Sequence, residues 1–532
     1  MKLIRHIIIP GLLLCATALG SNAQTEIDPF SEALMKAYTS MLDEDPHDWE
    51  ALFRRANEYY RRDDYVKALA DIDLALKYIP DSEPDVRAQA YSLRGNIQMM
   101  SQRYEKALAD FNEVLTLIPG DYPTLYQRAT ALYNLERYAE AKTDFKILQQ
   151  MNSRSLEAVF GLARIAVKEN NLGTANELID QALTLSPNNS EVYMRRADVH
   201  TMMGNPQGAV DDYIMAISTD EQNTGRALAY LVMLSRADYP VVIAGLSNAI
   251  RQAPQNGMFY YIRAMIAQGH CNYTAAIDDY NKIIEGHLDS YPGINAALAE
   301  CYYALGEYEK AMLNADYAVG AAPDNADYNV LKSKILLALN EPDNALACAD
   351  KAVEADPELN AALIARARAL IALENYIDAS VALSEAAMNN PEDPELYILR
   401  GWVLEKYRNN TKNGRASYER VLDMDYDFDN VRSLRGFALL GLDRADDGRR
   451  WMNKVLTTTE DYDGLTNYYG ACFFAWDGNL DKAFACMEKS LEKGYANFHA
   501  WTRDSEANLN VAPLRNDPRF SALLTKYSQI FK

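Results

Sequence analysis

The chain is poor in cysteine for its length. It has 6 cysteines among 532 residues, and Cys15 lies in an apolar run near the N-terminus. A small domain held together by disulfides would have denser, paired cysteines. We therefore expect the remaining five mostly as small buried hydrophobes, and their odd number allows a free thiol. They are Cys271, Cys301, Cys348, Cys472 and Cys486.

Basic residues are also scarce. Lysine and arginine number 53 against 75 aspartates and glutamates, so the formal net charge is −22 at pH 7. A field of this sign repels phosphate backbones and anionic lipid surfaces. The charge excludes nucleic acid as an expected partner.

Sequence motifs for catalysis are lacking after residue 24. There is no HExxH, GxSxG, glycine-rich phosphate loop or dinucleotide fingerprint. No apolar run in this part reaches the roughly 20 residues that a membrane-spanning helix needs. We expect a chain that is not an enzyme, binds no cofactor and has no transmembrane span after residue 24.

Two patterns resemble metal sites only weakly. His270 and Cys271 precede a predicted helix and His287 follows it, so about 20 Å separates them. A zinc ion needs about four close ligands, and we therefore predict no metal here.

The segment DMDYDFDN (423–430) places Asp423, Asp425 and Asp427 at the spacing of a calcium loop. Phe428 stands where such a loop needs glycine, and Leu434 stands where it needs a bidentate glutamate. A solvated acidic turn is the better interpretation.

The N-terminal residues have the pattern of a secretory signal. Lys2 and Arg5 precede an apolar run over residues 7–19, and Ser21, Asn22 and Ala23 follow it. We predict a signal peptide over residues 1–23, cleaved after Ala23. The mature protein is then expected in the periplasm or outside the cell.

The rest of the chain repeats itself. Residues 104–119 read YEKALADFNEVLTLIP, and residues 65–80 read YVKALADIDLALKYIP. Pro323, Pro357 and Pro391 are spaced 34 residues apart. In a 34-residue frame that starts at Trp49, alanine or glycine recurs at the eighth and twentieth places and tyrosine at the seventeenth. Examples are Ala56, Gly95 and Ala129 at the eighth place, Ala68, Ala107 and Ala141 at the twentieth, and Tyr65, Tyr104 and Tyr138 at the seventeenth.

These residues make the chain resemble the tetratricopeptide-repeat proteins over about residues 49–495, in thirteen units. Each unit is two short amphipathic stretches, which are marginal as isolated helices and need neighbours to bury their apolar faces. Small residues let the paired helices approach closely, and the proline stops the second helix. The resemblance implies an all-α, right-handed superhelical solenoid of antiparallel helix hairpins.

The predicted organisation follows this frame. A capping helix occupies residues 24–48, repeats 1–5 cover 49–221 with a longer join at 81–90, and repeats 7–13 cover 256–495. Residues 222–255 form a degenerate repeat and a candidate hinge, because Tyr230 and Val242 stand where small residues are expected. Residues 496–532 form a C-terminal cap.

In the family, the first helices line a concave groove. The corresponding positions here are rich in aromatic residues, which commonly anchor partners. Asn57 and Asn96 match part of a known carboxylate clamp, but Phe53 and Ser92 replace its lysines, so we do not expect that mode. The predicted groove residues are Phe53, Asn57, Tyr60, Tyr126, Tyr133, Phe160, Arg164, Tyr261, Trp402 and Tyr468.

The resemblance implies an exported, non-enzymatic scaffold that binds a peptide or protein partner in this groove, without metal or cofactor. Two alternatives stay open. The same aromatic residues could bind carbohydrate or a cell-wall polymer, or the chain could be a structural component of an envelope assembly.

Overall fold

The structure is a computed structural model that describes residues 29–219, 224–288, 293–424, 432–502 and 509–531. Within these ranges every regular element is a helix. The predicted all-α class is confirmed. The predicted signal peptide lies outside the described residues, as do Asp425, Asp427 and Phe428 of the acidic segment.

The helices follow one another as hairpins. The first thirteen are α1 (Pro29–Glu44), α2 (Trp49–Arg61), α3 (Tyr65–Tyr78), α4 (Pro84–Met100), α5 (Tyr104–Leu117), α6 (Tyr122–Asn134), α7 (Tyr138–Met151), α8 (Leu156–Lys168), α9 (Leu172–Leu185), α10 (Ser190–Met202), α11 (Pro206–Thr219), α12 (Thr224–Ala237) and α13 (Tyr239–Gln252).

Further hairpins and a cap complete the chain. They comprise α14 (Gly257–Gly269), α15 (Tyr273–Glu285), α16 (Ile294–Ala304), α17 (Tyr308–Ala321), α18 (Ala326–Ala338), α19 (Pro342–Ala355), α20 (Asn360–Ala372), α21 (Tyr376–Asn389), α22 (Pro394–Lys406), α23 (Thr411–Asp423), α24 (Leu434–Gly441), α25 (Ala445–Thr458), α26 (Leu465–Trp476), α27 (Leu480–Glu492), α28 (Phe498–Thr502) and α29 (Pro518–Lys526), with 3₁₀ turns at Ala512–Leu514 and Ser528–Phe531.

The chain divides into two compact units. The N-terminal unit contains the described residues of 29–234 and 238–245, and the C-terminal unit contains those of 235–237 and 246–531. The division therefore falls within α12 and α13, which form the repeat that departs from the pattern. There Tyr230 stacks on Tyr213 with ring centroids 5.1 Å apart, and Val242 is buried.

Small residues allow the helices of each hairpin to touch. Helix α2 packs against α3, which also packs against α4, the first helix of the next hairpin. At Gly95 a Cβ atom would lie only 2.6 Å from the ring of Phe111, so alanine would overpack this contact. The alanines of the twentieth place have no exposed surface: Ala68, Ala107, Ala141, Ala175, Ala209, Ala276, Ala311, Ala345, Ala379 and Ala483.

The turn repeats one backbone conformation in eleven of the thirteen described hairpins, and the α12–α13 and α22–α23 turns depart from it. Its fifteenth-place residue is left-handed, and the next N–H bonds back to the preceding helix, as from Arg103 to the Gln98 carbonyl at 2.8 Å. This arrangement satisfies carbonyls that the helix end leaves open. The left-handed residues are Asp63, Gln102, Glu136, Asn170, Gly204, Cys271, Gly306, Asn340, Glu374, Asp443 and Gly478.

The predicted longer join at residues 81–90 is wrong. Helix α4 begins at Pro84 and runs for 17 residues, against 13 in α2. Proline is favourable at a first helical position because its missing N–H has no partner there in any case. The extra residues of this repeat therefore extend its first helix.

Paired charges link the hairpins. In five repeats an arginine of the first helix forms two hydrogen bonds to an aspartate 16 residues later, on the second helix. Arg128 donates through Nε and a terminal nitrogen to Asp144 at 2.8 and 2.7 Å, and it also reaches Asn112 of the preceding hairpin at 3.1 Å. The pairs are Arg55–Asp71, Arg94–Asp110, Arg128–Asp144, Arg196–Asp212 and Arg263–Asp279.

The C-terminal cap buries its own aromatic residues. Trp501 and Leu514 have no exposed surface, and Phe520 is 7% exposed. Exposed ion pairs join α29 to α27, with Arg519 at 2.7 Å from Asp481 and Lys526 at 2.7 Å from Glu488.

Removing one partner of a buried ion pair should destabilise its repeat. The Asp144 side chain is 4% exposed, so Asp144→Ala leaves the Arg128 guanidinium without its main partner. We expect a loss of about 3 kcal/mol in the opening free energy of α6 to α8, measured by hydrogen exchange with mass spectrometry.

The matched control is Asp350→Ala, because Asp350 pairs with Arg366 at 2.7 Å but is 51% exposed. We expect this control to cost less than about 1 kcal/mol. Equal losses for the two variants would contradict the role given to burial.

Candidate functional site

The predicted groove residues all lie on first helices of hairpins. We call the surface that these helices present the first-helix face of each unit. The N-terminal unit carries Phe53, Asn57 and Tyr60 on α2, Tyr126 and Tyr133 on α6, and Phe160 and Arg164 on α8. The C-terminal unit carries Tyr261 on α14, Trp402 on α22 and Tyr468 on α26.

The Arg164 guanidinium lies over an aromatic ring. Its guanidinium carbon is 4.2 Å from the centroid of Tyr133, one hairpin earlier, and Tyr133 in turn contacts Tyr138 at 5.6 Å between centroids. Arg164 is exposed, and among the described residues no carboxylate lies within ion-pair distance of it. The ring thus orients a guanidinium whose N–H groups face solvent.

A second contact between an arginine and an aromatic ring lies one hairpin further along the chain. We call these two contacts the arginine steps. The Arg195 guanidinium on α10 lies 4.6 Å from the centroid of Phe160, and it pairs with Glu191 at 2.9 Å. Arg226 on α12 pairs with the same carboxylate at 3.1 Å. Two guanidiniums share this carboxylate, and the Asp198 carboxyl also interacts electrostatically with both of them.

The Nε atom of Arg195 adds an unmet donor. It is buried and has no hydrogen-bond partner among the described residues. The sequence analysis missed Arg195 and Arg226 because it considered only the groove positions known from the family. The sequence did contain a signal, because in both cases the arginine comes about one repeat after the aromatic residue that it contacts.

The other predicted groove residues of the N-terminal unit pack between helices more than Arg164 does. Tyr126 meets Phe145 edge to face at 6.2 Å, and Tyr60 contacts Tyr65 at 6.1 Å. Phe53 packs against the core of the first repeats, while Asn57 is exposed. The structure therefore does not bring Phe53 and Asn57 together with the arginine steps.

In the C-terminal unit the candidates contact other rings. Tyr261 meets Tyr280 at 6.1 Å. Trp402 lies edge to face with Tyr407 at 5.2 Å, and the Lys406 ammonium approaches its ring at 5.1 Å. Both candidates are half-buried, so part of each ring remains accessible.

The structure differs from the prediction at Tyr468. This side chain is 6% exposed and packs edge to face on Trp501 at 4.9 Å. Its hydroxyl donates to the carbonyl of Ala500 at 3.2 Å. Tyr468 thus supports the C-terminal cap and is not accessible to a ligand in this arrangement.

One carboxyl group near the arginine steps is perturbed. Asp198 accepts a hydrogen bond from the Tyr213 hydroxyl at 3.0 Å. Burial raises the pKa of Asp198, and the hydrogen bond from Tyr213 only partly opposes this effect. The charged form of Asp198 is therefore disfavoured in the folded state.

The weak metal patterns gain no support. No group of three or more potential ligands occurs within the described ranges. The Nε2 atom of His270 lies 2.9 Å from the Ser235 hydroxyl, and burial raises the pKa of Cys271 to about 11. His287 occupies a left-handed turn position. No helix among the described residues is long and apolar enough to cross a bilayer.

Family models match two parts of the chain. The model of the protein kinase G tetratricopeptide repeat matches residues 23–220, and a second tetratricopeptide-repeat model matches residues 296–360 and 330–394. No curated protein matches the chain. Together with the helix hairpins, these matches show that the chain carries tetratricopeptide repeats and folds as an all-α tetratricopeptide-repeat solenoid.

Solved structures give more distant likenesses. Yeast Tom70 is 18% identical, with 77% of this chain and 99% of that chain covered and a TM-score of 0.36. A repeat protein from Parabacteroides merdae is 16% identical, with 60% and 98% covered and a TM-score of 0.30. YrrB, described as having an unusual peptide-binding site, is 22% identical, with 37% and 98% covered and a TM-score of 0.29. Scores this low support no inference about function.

The raised pKa of Asp198 predicts how stability changes with pH. Because the folded state holds this proton more tightly than the unfolded state, Asp198 contributes a loss of stability that grows as pH rises from about 4 through its folded pKa. Asp198→Asn removes the cost, and its amide oxygen can still accept from Tyr213. We expect the variant to be more stable than wild type at pH 7, with a difference that shrinks towards pH 4.

Urea denaturation of both proteins across this pH range measures the effect. Asp211→Asn, an exposed change on α11, should leave the pH dependence unchanged. A variant that is less stable than wild type at pH 7 would show that nearby arginines outweigh burial.

Proposed function

We propose that this chain is a protein-binding scaffold and that the first-helix face of its N-terminal unit, from α6 to α12, binds an extended acidic segment of a protein partner. The observation that carries the proposal is the pair of arginines held on aromatic rings, Arg164 on Tyr133 and Arg195 on Phe160. Arg164 has no carboxylate partner among the described residues, in a chain whose net charge is −22.

The chemistry of arginine favours a carboxylate as ligand. A guanidinium presents paired N–H donors that match the two oxygens of a carboxylate. Contact with a ring restricts the guanidinium before the ligand arrives, so less rotamer freedom is lost on binding. The two steps lie on successive hairpins, which suits a segment that extends along the stack.

The contacts of the rings also bear on the carbohydrate alternative. A sugar would stack on an open ring face, but one face of Tyr133 and one face of Phe160 are already covered by guanidiniums. This arrangement favours a charged peptide over a neutral sugar. No observation on the described residues favours a structural component of an envelope assembly.

We further propose that the scaffold is exported and has no catalytic activity. Export rests on the signal pattern of residues 1–23, and the absence of catalytic motifs after residue 24 supports a binding role. N-terminal sequencing of the protein from the envelope or culture fluid of its native cell should give Gln24 as the first residue. An uncleaved Met1 would contradict export by this signal.

Charge reversal at the arginine steps should abolish recognition of acidic segments. We expect peptides selected by the full-length protein from a random display library to be enriched in aspartate and glutamate. Arg164→Glu combined with Arg195→Glu should weaken binding of a selected peptide by about a hundredfold, as expected when attraction becomes repulsion at two sites of about 1.4 kcal/mol each. Fluorescence anisotropy measures the change.

The control is Arg137→Glu, in the same unit, where Arg137 pairs with Glu140 at the start of α7 and is 41% exposed. This change should leave affinity within about twofold, since exposed pairs contribute little. A selection without acidic enrichment, or equal losses in both variants, would refute the proposed site.

A further inference from the structure

In the C-terminal unit a short segment near the chain end returns to one of the unit's first hairpins. Helix α28 packs against α16, although almost 200 residues separate them in sequence. Both elements belong to the C-terminal unit. The segment therefore occupies part of that unit's first-helix face, where the resemblance predicts ligand binding.

His499 is held by two tyrosines of this hairpin. Its Nε2 atom lies 2.8 Å from the Tyr303 hydroxyl and its Nδ1 atom 2.8 Å from the Tyr308 hydroxyl. The Tyr303 ring also lies against the imidazole, with centroids 4.2 Å apart and planes tilted by 35°, and the Tyr308 ring stands edge-on at 5.7 Å. Both ring nitrogens and one ring face are thus engaged, which defines a pocket for an imidazole.

Phe498 fits beside the turn that joins the same two helices. Its Cδ1 atom lies 2.9 Å from the place where a Cβ atom on Gly306 would stand. Gly306 has a φ of +78°, and most other repeats carry a residue with a side chain at this turn position, Gly204 and Gly478 being exceptions. The glycine therefore provides both the turn and the space for an aromatic ring.

The flanking residues hold the segment from its other side. Tyr495 and Trp501 are buried, and the Trp501 indole N–H donates to the Tyr495 carbonyl at 3.3 Å. Both rings pack on Tyr468 of α26. Phe498 and His499 are only half-buried. Anchoring thus depends on the last hairpins, and the Phe498–His499 pair makes the reach to α16 and α17.

We infer that Tyr303, Gly306 and Tyr308 form a binding site for an aromatic residue followed by histidine, and that the chain's own Phe498–His499 occupies it as an internal ligand. A protein partner that uses this face must displace the pair and must present the same two side chains. The inference concerns the C-terminal unit and is independent of the acidic-segment site proposed above.

Removing the internal Phe498 and His499 side chains should let the site bind the same segment when it is supplied as a separate peptide. The probe is a fluorescein-labelled peptide with the sequence of residues 494–502, GYANFHAWT. The full-length Phe498→Ala/His499→Ala variant should bind it with a dissociation constant at least about tenfold lower than wild type, since a tethered competitor is removed. A peptide with alanine at both positions should not bind.

Equal binding to variant and wild type, or no measurable binding to either, would overturn the inference. Circular dichroism and the melting temperature establish that the variant is folded. His47→Ala serves as control, because this exposed histidine contacts Tyr78 in the other unit. It should leave peptide binding unchanged.

A second variant tests whether the two tyrosine hydroxyls hold His499 in its site, and it leaves every aromatic ring in place. Tyr303→Phe/Tyr308→Phe deletes only the two hydroxyls that meet His499. In wild type, diethyl pyrocarbonate should modify His499 more slowly than His47, and the double variant should raise the His499 rate by about thirtyfold, the effect of losing two hydrogen bonds of about 1 kcal/mol each. Equal modification rates at His499 and His47 in wild type would show that the site does not protect His499.

Discussion

The structure depends on a close contact between two short helices that cannot persist alone. Each helix of roughly 13 or 14 residues is marginal in water, so its stability comes from packing. The contact is close only where one side chain is no larger than a methyl group, as at Ala129 and Ala141, which have no exposed surface. Because most hairpins meet this condition in the same way, the hairpins can stack; the α12–α13 hairpin, with Tyr230 and Val242 at the corresponding places, departs from it.

The stacking of hairpins also determines where charged side chains must be paired. The seam between second helices of successive hairpins is bridged by arginines such as Arg196, which meets Asp212 of its own hairpin and Asp180 of the preceding one at 2.7 and 2.8 Å. These bonds satisfy charges that the seam partly buries. The first-helix face is free of this requirement, so its side chains can vary from repeat to repeat.

Much of the fold was predictable because it depends on local spacing. The recurrence of small residues and closing prolines indicates hairpins directly, and the helix bounds agree with it in most repeats. The 16-residue spacing from Arg55 to Asp71 was equally visible in the sequence but was not used. The extra turn of α4 was missed because the inserted residues were interpreted as a join, although Pro84 is a typical first helical residue.

The candidate site was less predictable because it depends on contacts between distant residues. Spacing places Tyr468 and Tyr133 at equivalent kinds of position, yet Tyr468 is covered by the cap while Tyr133 supports an exposed arginine. No local pattern shows that His499 will meet Tyr303. These contacts follow from how the hairpins curve within a unit, which single repeats do not specify.

Aromatic residues on the first-helix face therefore do not all have the same structural role. In the N-terminal unit their ring faces orient cations, so the surface they create is polar and directional. In the C-terminal unit the hydroxyls of Tyr303 and Tyr308 receive an imidazole from the same chain, so that surface already has a ligand. An excess of aromatic residues on this face therefore does not predict one kind of ligand, because the atoms that contact each ring determine the chemistry of the surface.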